Sequence, residues 1–287
     1  MRRSSGSCQT ASRISELVHQ HFNRLATATM LTMGLLALAC PISAAQRGDS
    51  GDSDKNSSVT TATLRAYVVT SSNSFGTIDL KNGTYTQIGQ MSGLPGALGG
   101  LGEVDGKLYG GAIRTGNLYR IDASNGTVTL VGTGEISYFV TGSTTNGLYA
   151  VGQDLNLYSI DAQTGAATLI GPTGFNPADA GGGSLSSGSE TLYLSLGTLG
   201  SYAVSLYSLN TTTGAATTIG PIASNTGAPP MVFENGRLYA TFNFPSQEIC
   251  TLNTSTGAPT CFASASGVPG YFSGLACVAE TTATCLY

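Results

Sequence analysis

Acidic and amide side chains that recur at one point of this chain are the first candidates for chemistry. Asp79, Asp122, Asp161, Asn210 and Asn253 each stand four residues ahead of a glycine, at Gly83, Gly126, Gly165, Gly214 and Gly257. A carboxylate can act as a general base or offer hard oxygen to calcium. A short Asp or Asn side chain can also accept hydrogen bonds from backbone N–H groups inside a tight turn. Asparagine stands in two of the five copies. An amide keeps the acceptor and loses the base, so the recurrent position reads as a turn cap.

Beyond that set the chemistry is sparse. Both histidines, His19 and His21, precede residue 46, and the chain after them lacks the commonest general base along with any Ser-His-Asp or Cys-His arrangement. Cys250, Cys261, Cys277 and Cys285 form an even set without a C-x-x-C spacing, which favours disulfides over a zinc site.

The elements that must hold these groups are five copies of one segment. They read FGTIDLKNGTYTQIG from Phe75, NLYRIDASNGTVTLVG from Asn117, NLYSIDAQTGAATLIG from Asn156, SLYSLNTTTGAATTIG from Ser205 and EICTLNTSTGAPTCF from Glu248. Turn glycines spaced by 43, 39, 49 and 43 residues, with period-two alternation and no helical periodicity, predict propeller blades. Folding the second copy about Ala123 to Gly126 pairs Ile121 with Val128, Arg120 with Thr129 and Tyr119 with Leu130, which sorts apolar from polar residues. The same register in the fifth copy sets Asn253 against Ala258 and Cys250 against Cys261, near enough for a disulfide. Cys277 and Cys285 then form a second clip.

Ahead of each hairpin runs a strand with Leu-Tyr or its equivalent: RAYVVT at Arg65, KLYGGA at Lys107, GLYAVG at Gly147, TLYLSL at Thr191 and RLYATF at Arg237. Small-residue segments before the last four, such as LGGLGEV from Leu98 and VTGSTT from Val140, suit innermost strands that converge on an axis. The first unit lacks such a strand, and the C-terminal YFSGLACVAETTATCLY supplies one. The expectation is an all-β propeller over residues 64–287, with five four-stranded blades of which one is a composite closing blade. Six blades are the alternative, with the cysteine hairpin as its own partial blade.

The string L-Y-x-I-D-x-x-T-G-x-x-T-L-I-G resembles repeats of secreted bacterial propeller proteins of unknown function, and more distantly quinoprotein repeats. Quinoprotein blades typically end in a tryptophan that docks the neighbouring blade. Here Leu169-Ile170-Gly171 stands in that region and the chain has no tryptophan. Quinone binding is therefore carried over to no residue.

Function is expected in the loops, where the copies differ. Loops leading into the innermost strands and those between the second and third strands commonly share one binding face in propellers. The ligand-binding candidates there are Arg114, Glu135, Tyr138, Asp154, Phe175, Asn176, Asp179, Tyr202 and Tyr271. Aromatic and polar groups of this kind suit a non-catalytic binding or scaffold protein for a glycan, peptide or protein partner. The alternative is a calcium-dependent, lactonase-like hydrolase, with calcium held by Glu103, Glu135, Asp154 and Asp179.

Residues 1–45 carry Arg2, Arg3, Arg13 and Arg24, an apolar run from Leu25 to Cys40 and then Ser43-Ala44-Ala45, the pattern of a secretory signal peptide. Cys40 faintly resembles a lipoprotein attachment site, with Ala37 in place of the usual large aliphatic residue. Residues 46–63 have almost no apolar side chains and read as a linker. Residues 46–287 hold eight Lys and Arg against fifteen Asp and Glu, with the cations scattered, which argues against nucleic acid. The expected product is a secreted or periplasmic monomer with no membrane span after cleavage.

Overall fold

The computed structural model describes residues 64–277, apart from positions 114, 134, 135, 202, 225 and 226. Among the described residues the chain is all-β, with twenty strands, one single-turn 3-10 helix and no α-helix. The arrangement is propeller-like, built from antiparallel four-stranded meanders. The first contains β1 (Arg65–Thr70), β2 (Ser74–Asp79) and β3 (Tyr85–Gln90). The second runs β4 (Gly102–Val104), β5 (Lys107–Gly111), β6 (Asn117–Ile121) and β7 (Val128–Thr133). The third runs β8 (Tyr138–Thr144), β9 (Gly147–Gly152), β10 (Asn156–Ile160) and β11 (Ala167–Pro172). The fourth is β12 (Ala180–Ser187), β13 (Leu192–Thr198), β14 (Ala203–Leu209) and β15 (Ala216–Ser224). The fifth is β16 (Met231–Glu234), β17 (Arg237–Phe242), β18 (Glu248–Leu252) and β19 (Pro259–Ser264). The last strand, β20 (Phe272–Cys277), pairs with β1 and completes the first sheet in the order β20-β1-β2-β3.

Each outer hairpin is set by its cap. Asp79, Asp161, Asn210 and Asn253 each accept, on Oδ1, the N–H groups two and three residues on, while Asp122 Oδ1 accepts from the N–H and hydroxyl of Ser124. The carbonyl of every cap takes the turn glycine N–H at 2.8 Å. Those glycines have φ of 75–84°, a region costly for residues with a Cβ. In Asp122 the Ser124 bonds, and in Asp161 the Gln163 and Thr164 N–H groups, hold the carboxyl below its ordinary pKa.

The register follows the sequence pattern. Tyr119 faces Leu130, Arg120 faces Thr129 and Ile121 faces Val128. Cys250 faces Cys261 and the two form a disulfide. Cys277 is buried in β20, and its proposed partner Cys285 lies outside the described residues.

Two expectations are corrected. The apolar face of the outer hairpin is buried only in part: Tyr119 is 7% exposed but Leu130 is 50% and Leu169 57% exposed. The register shifts by one residue in each of the first four outer hairpins and turns the extra residue inward, so Ile88, Val131, Ile170 and Ile219 pack partly against the clusters while Leu130 and Leu169 face solvent. Nor is every innermost strand small-sided, since β16 reads Met-Val-Phe-Glu. Ser186 and Ser187 of β12 pair in parallel with Met231 and Val232, which joins the fourth and fifth meanders into one eight-stranded sheet.

The core lies between sheets rather than within one. One apolar cluster joins the first sheet to the second through Phe75, Leu101 and Ile121, and another joins the second to the third through Leu118, Tyr138 and Ile160. Val140, Leu157, Leu185 and Leu194 link third and fourth; Leu206, Met231 and Leu238 link fourth and fifth. A last cluster returns from Val232, Tyr239 and Ile249 to Val68, Ile78 and Leu275 in the first sheet.

A second contact repeats at the rim. Gly89, Gly132, Gly171 and Gly220 each lie against the hairpin turn of the following sheet, where a Cβ would clash with the carbonyl oxygens of Asn125, Thr164, Thr213 and Thr256 respectively. Backbone thus packs directly on backbone at this rim. The fifth sheet meets the first at the same rim, where Ala263 stands in the position of those glycines and backbone hydrogen bonds make the contact, Ser266 N–H donating to the Gly83 carbonyl and Tyr85 N–H to the Ser266 carbonyl.

Candidate functional site

The starts of the innermost strands converge on a funnel of about 290 Å³. Gly99 borders it ahead of β4, as do Phe139 of β8, Gly182, Gly183 and Ser184 of β12, Pro230 ahead of β16, and Phe272 and Ser273 of β20. Leu98, Ile113, Ala228 and Gln153 complete the described wall, and none of these described lining residues is ionisable. A smaller hollow beside it, sharing Gly182 and Ala228, carries the 65% exposed Leu199. Further along the same strands, the buried hydroxyls of Ser143 and Ser187 share a hydrogen bond of 2.9 Å, and Glu103 N–H donates to Ser143 Oγ.

The expected site residues divide. Arg114, Glu135 and Tyr202 lie outside the described residues. Tyr138 opens β8 but turns into the core: it is fully buried, and Gly111 across the sheet boundary leaves the space its ring fills. Burial pushes its hydroxyl pKa up to about 12. That hydroxyl is without a hydrogen-bond partner. An unsatisfied buried hydroxyl costs about 1–3 kcal/mol. Tyr138→Phe should therefore raise the melting temperature, by about 2–4 °C for each kcal/mol recovered. A fall in thermal denaturation would show that the hydroxyl is satisfied in solution.

Asp154 sits in the β9–β10 turn. Its carboxylate accepts from the Tyr158 hydroxyl and Asn156 Nδ2, both at 2.7 Å, and from Asn156 N–H. Partial burial raises its pKa, but the Tyr158 and Asn156 bonds outweigh it and the net shift is downward. Asn176 caps the short helix Pro177–Asp179 by accepting from Ala178 N–H, and its Nδ2 reaches Asp179. Phe175 packs edge-on against Tyr207 with ring centroids 4.8 Å apart. These four residues are committed to local structure. Tyr271 is different: half exposed, it lies against Phe244 with centroids 5.1 Å apart, next to funnel residue Phe272.

Glu103 lies at the opposite end of β4 from the funnel, where its carboxylate accepts from Gly106 N–H in the β4–β5 turn. Burial raises its pKa against that bond. The reading that grouped it with the loop carboxylates is corrected: β4 runs away from the funnel, and Glu103, four residues past Gly99, bonds into the turn at the far end. Among the described residues the one grouping of three possible metal donors is Glu248, Cys250 and Cys261, and its two sulfurs are joined in the disulfide.

Sequence reasoning missed Phe139, Gln153, Ser184 and Phe272 as funnel residues. The available signal was positional, since all but Gln153 lie near the start of an innermost strand.

No family model matches the chain, and no curated protein matches it. Among solved structures, it is similar to a chain in the crystal structure of a nidogen/laminin complex, at 9% identity and a TM-score of 0.49, over 74% of this chain and 97% of that one. No helix among the described residues is long and apolar enough to cross a membrane.

Proposed function

We propose that the protein is an exported, non-catalytic binding propeller of five blades, closed by pairing of its C-terminal strand with β1, that holds its partner at the funnel. The ring reading is supported by five inter-sheet apolar clusters, the last of which returns to the first sheet, and by the rim contact repeated from the fifth sheet to the first. With β20 in place the inner edge of β1 is paired rather than left open to another chain. The signal-like leader and the Cys250–Cys261 disulfide support export.

One observation carries the functional reading: a concave site at the axis is walled from all five innermost strands or the loops ahead of them, and its described lining residues are uncharged. Binding there needs shape and polar contacts, and the described carboxylates near this face, Asp154 and Asp179, are engaged in capping their own loops. An array of glycans and peptides probed with the full chain tests this. The reading expects a bound class that is released chemically unchanged and is weakened by Gln153→Ala or Leu199→Asp, both exposed positions. A blank array, cleavage of the bound compound, or binding indifferent to both substitutions would overturn it.

A further inference from the structure

We propose that Phe244 and Tyr271 form the stacking platform of a neutral oligosaccharide site at the mouth of the funnel; the inference rests on the binding reading above and names its ligand class. The two rings are 44% and 51% exposed and tilted by 41°. Large aromatic rings left jointly in water mark an interaction surface more often than scattered apolar residues do.

The platform is fixed from both sides. Asn243 accepts from Phe272 N–H at 2.8 Å and donates to its carbonyl at 3.1 Å, while Gln247 donates to the Gly270 carbonyl at 2.7 Å. From the β1–β2 turn, Ser71 Oγ accepts from Tyr271 N–H, Ser71 N–H donates to the Tyr271 carbonyl, and Ser72 Oγ donates to the Pro269 carbonyl. The segment that presents Tyr271 is thus pinned by both loops flanking it. A surface held before the ligand arrives loses little ordering entropy on binding.

Charge selects the ligand class. Every Lys and Arg among the described residues, Arg65, Lys81, Lys107, Arg120 and Arg237, lies at the beginning of a second strand or near an outer-hairpin turn, the ends of the meanders away from the funnel. No described cation near the mouth can pair with a sulfate, phosphate or uronate. A neutral sugar ring offers an apolar C–H face to an aromatic ring and hydroxyls around its edge. In the wall beside the platform Gln153 Nε2, Ser184 Oγ and Ser273 Oγ donate to the Tyr138, Leu185 and Val69 carbonyls, which orients the Gln153 amide oxygen and the two hydroxyl oxygens as acceptors for sugar hydroxyls.

Calorimetry of the full chain with cellohexaose, laminarihexaose, chitohexaose and mannohexaose, against oligogalacturonate, tests the assignment. At least one neutral series should bind, oligogalacturonate should not, and Phe244→Ala and Tyr271→Ala should each weaken binding by about tenfold or more. Saturation-transfer NMR on the unmodified chain should place sugar protons against aromatic protons, a readout that survives if a variant misfolds. Binding of peptides but of no neutral saccharide overturns this inference and leaves the broader binding reading standing. Saccharide binding without aromatic transfer overturns the platform alone, and a blank array with silent calorimetry overturns both.

Discussion

Gly132→Ala is expected to destabilise the protein by about 2–3 kcal/mol, near the upper part of the usual range for overpacking. In thermal denaturation that corresponds to a fall of about 5–10 °C for a domain of this size. The added methyl would strike the Thr164 carbonyl oxygen in the next hairpin turn, and Gly165 beside it has its Cα against Gly132 in turn. Neither side can yield cheaply. Thr164 N–H is held by Asp161, and Gly165 N–H by the Asp161 carbonyl, so moving the turn breaks its own closure. The same clash is set up at Gly89, Gly171 and Gly220, and each substitution should behave alike. Gly96→Ala is the control. Its Cβ would meet only the Ile113 carbonyl oxygen at 3.8 Å, an ordinary contact, and its effect should stay within about 0.5 kcal/mol. Equal melting temperatures for Gly132→Ala and Gly96→Ala would sink the docking role.

The hairpins were legible in the sequence because their determinants are local. A period-two pattern, a capping Asp or Asn and a glycine four residues on fix register without any other unit, and the Cys250–Cys261 pairing follows from that register. What the repeat-ending glycine does was not legible, because its partner is the backbone of the next sheet about 32 to 42 residues away, and a carbonyl leaves no mark in the sequence. Tyr138 shows the same limit in a side chain. Its ring is buried since Gly111 of another sheet leaves room for it, and nothing in either segment alone pairs those positions. The funnel was the least legible feature. Its lining comes from segments that differ between copies, so periodicity has no purchase there; Tyr271 and Phe244 are visible as loop aromatics, but no local signal pairs them.

Ending the chain at Tyr271 should abolish folding. Truncation removes β20, whose Phe272, Leu275, Ala276 and Cys277 are all nearly or fully buried. Loss of even two large buried side chains costs about 2–5 kcal/mol each. Total stability of a natural domain is about 5–15 kcal/mol, so little remains. The truncation also uncovers the inner edge of β1 and opens the cluster in which Leu275 meets Val68, Ile78 and Val232. An uncovered strand edge invites pairing with another chain, so the product should aggregate on expression. A permuted chain separates this from mere loss of residues. Cys277 lies opposite Ala66 in an antiparallel ladder, which leaves the end of β20 beside the beginning of β1. Residues 272–279 placed ahead of Leu64 through a short Asn-Gly turn, like the Asn235-Gly236 turn that joins Glu234 to Arg237, keep Cys277 opposite Ala66 and should rebuild the first sheet as an uninterrupted meander. With its C-terminus at Tyr271, the permuted chain is expected to be soluble and to melt cooperatively. A soluble, cooperatively melting truncation would show instead that β20 is dispensable, and an insoluble permutant would show that joining β20 to β1 from the N-terminal side does not restore the fold.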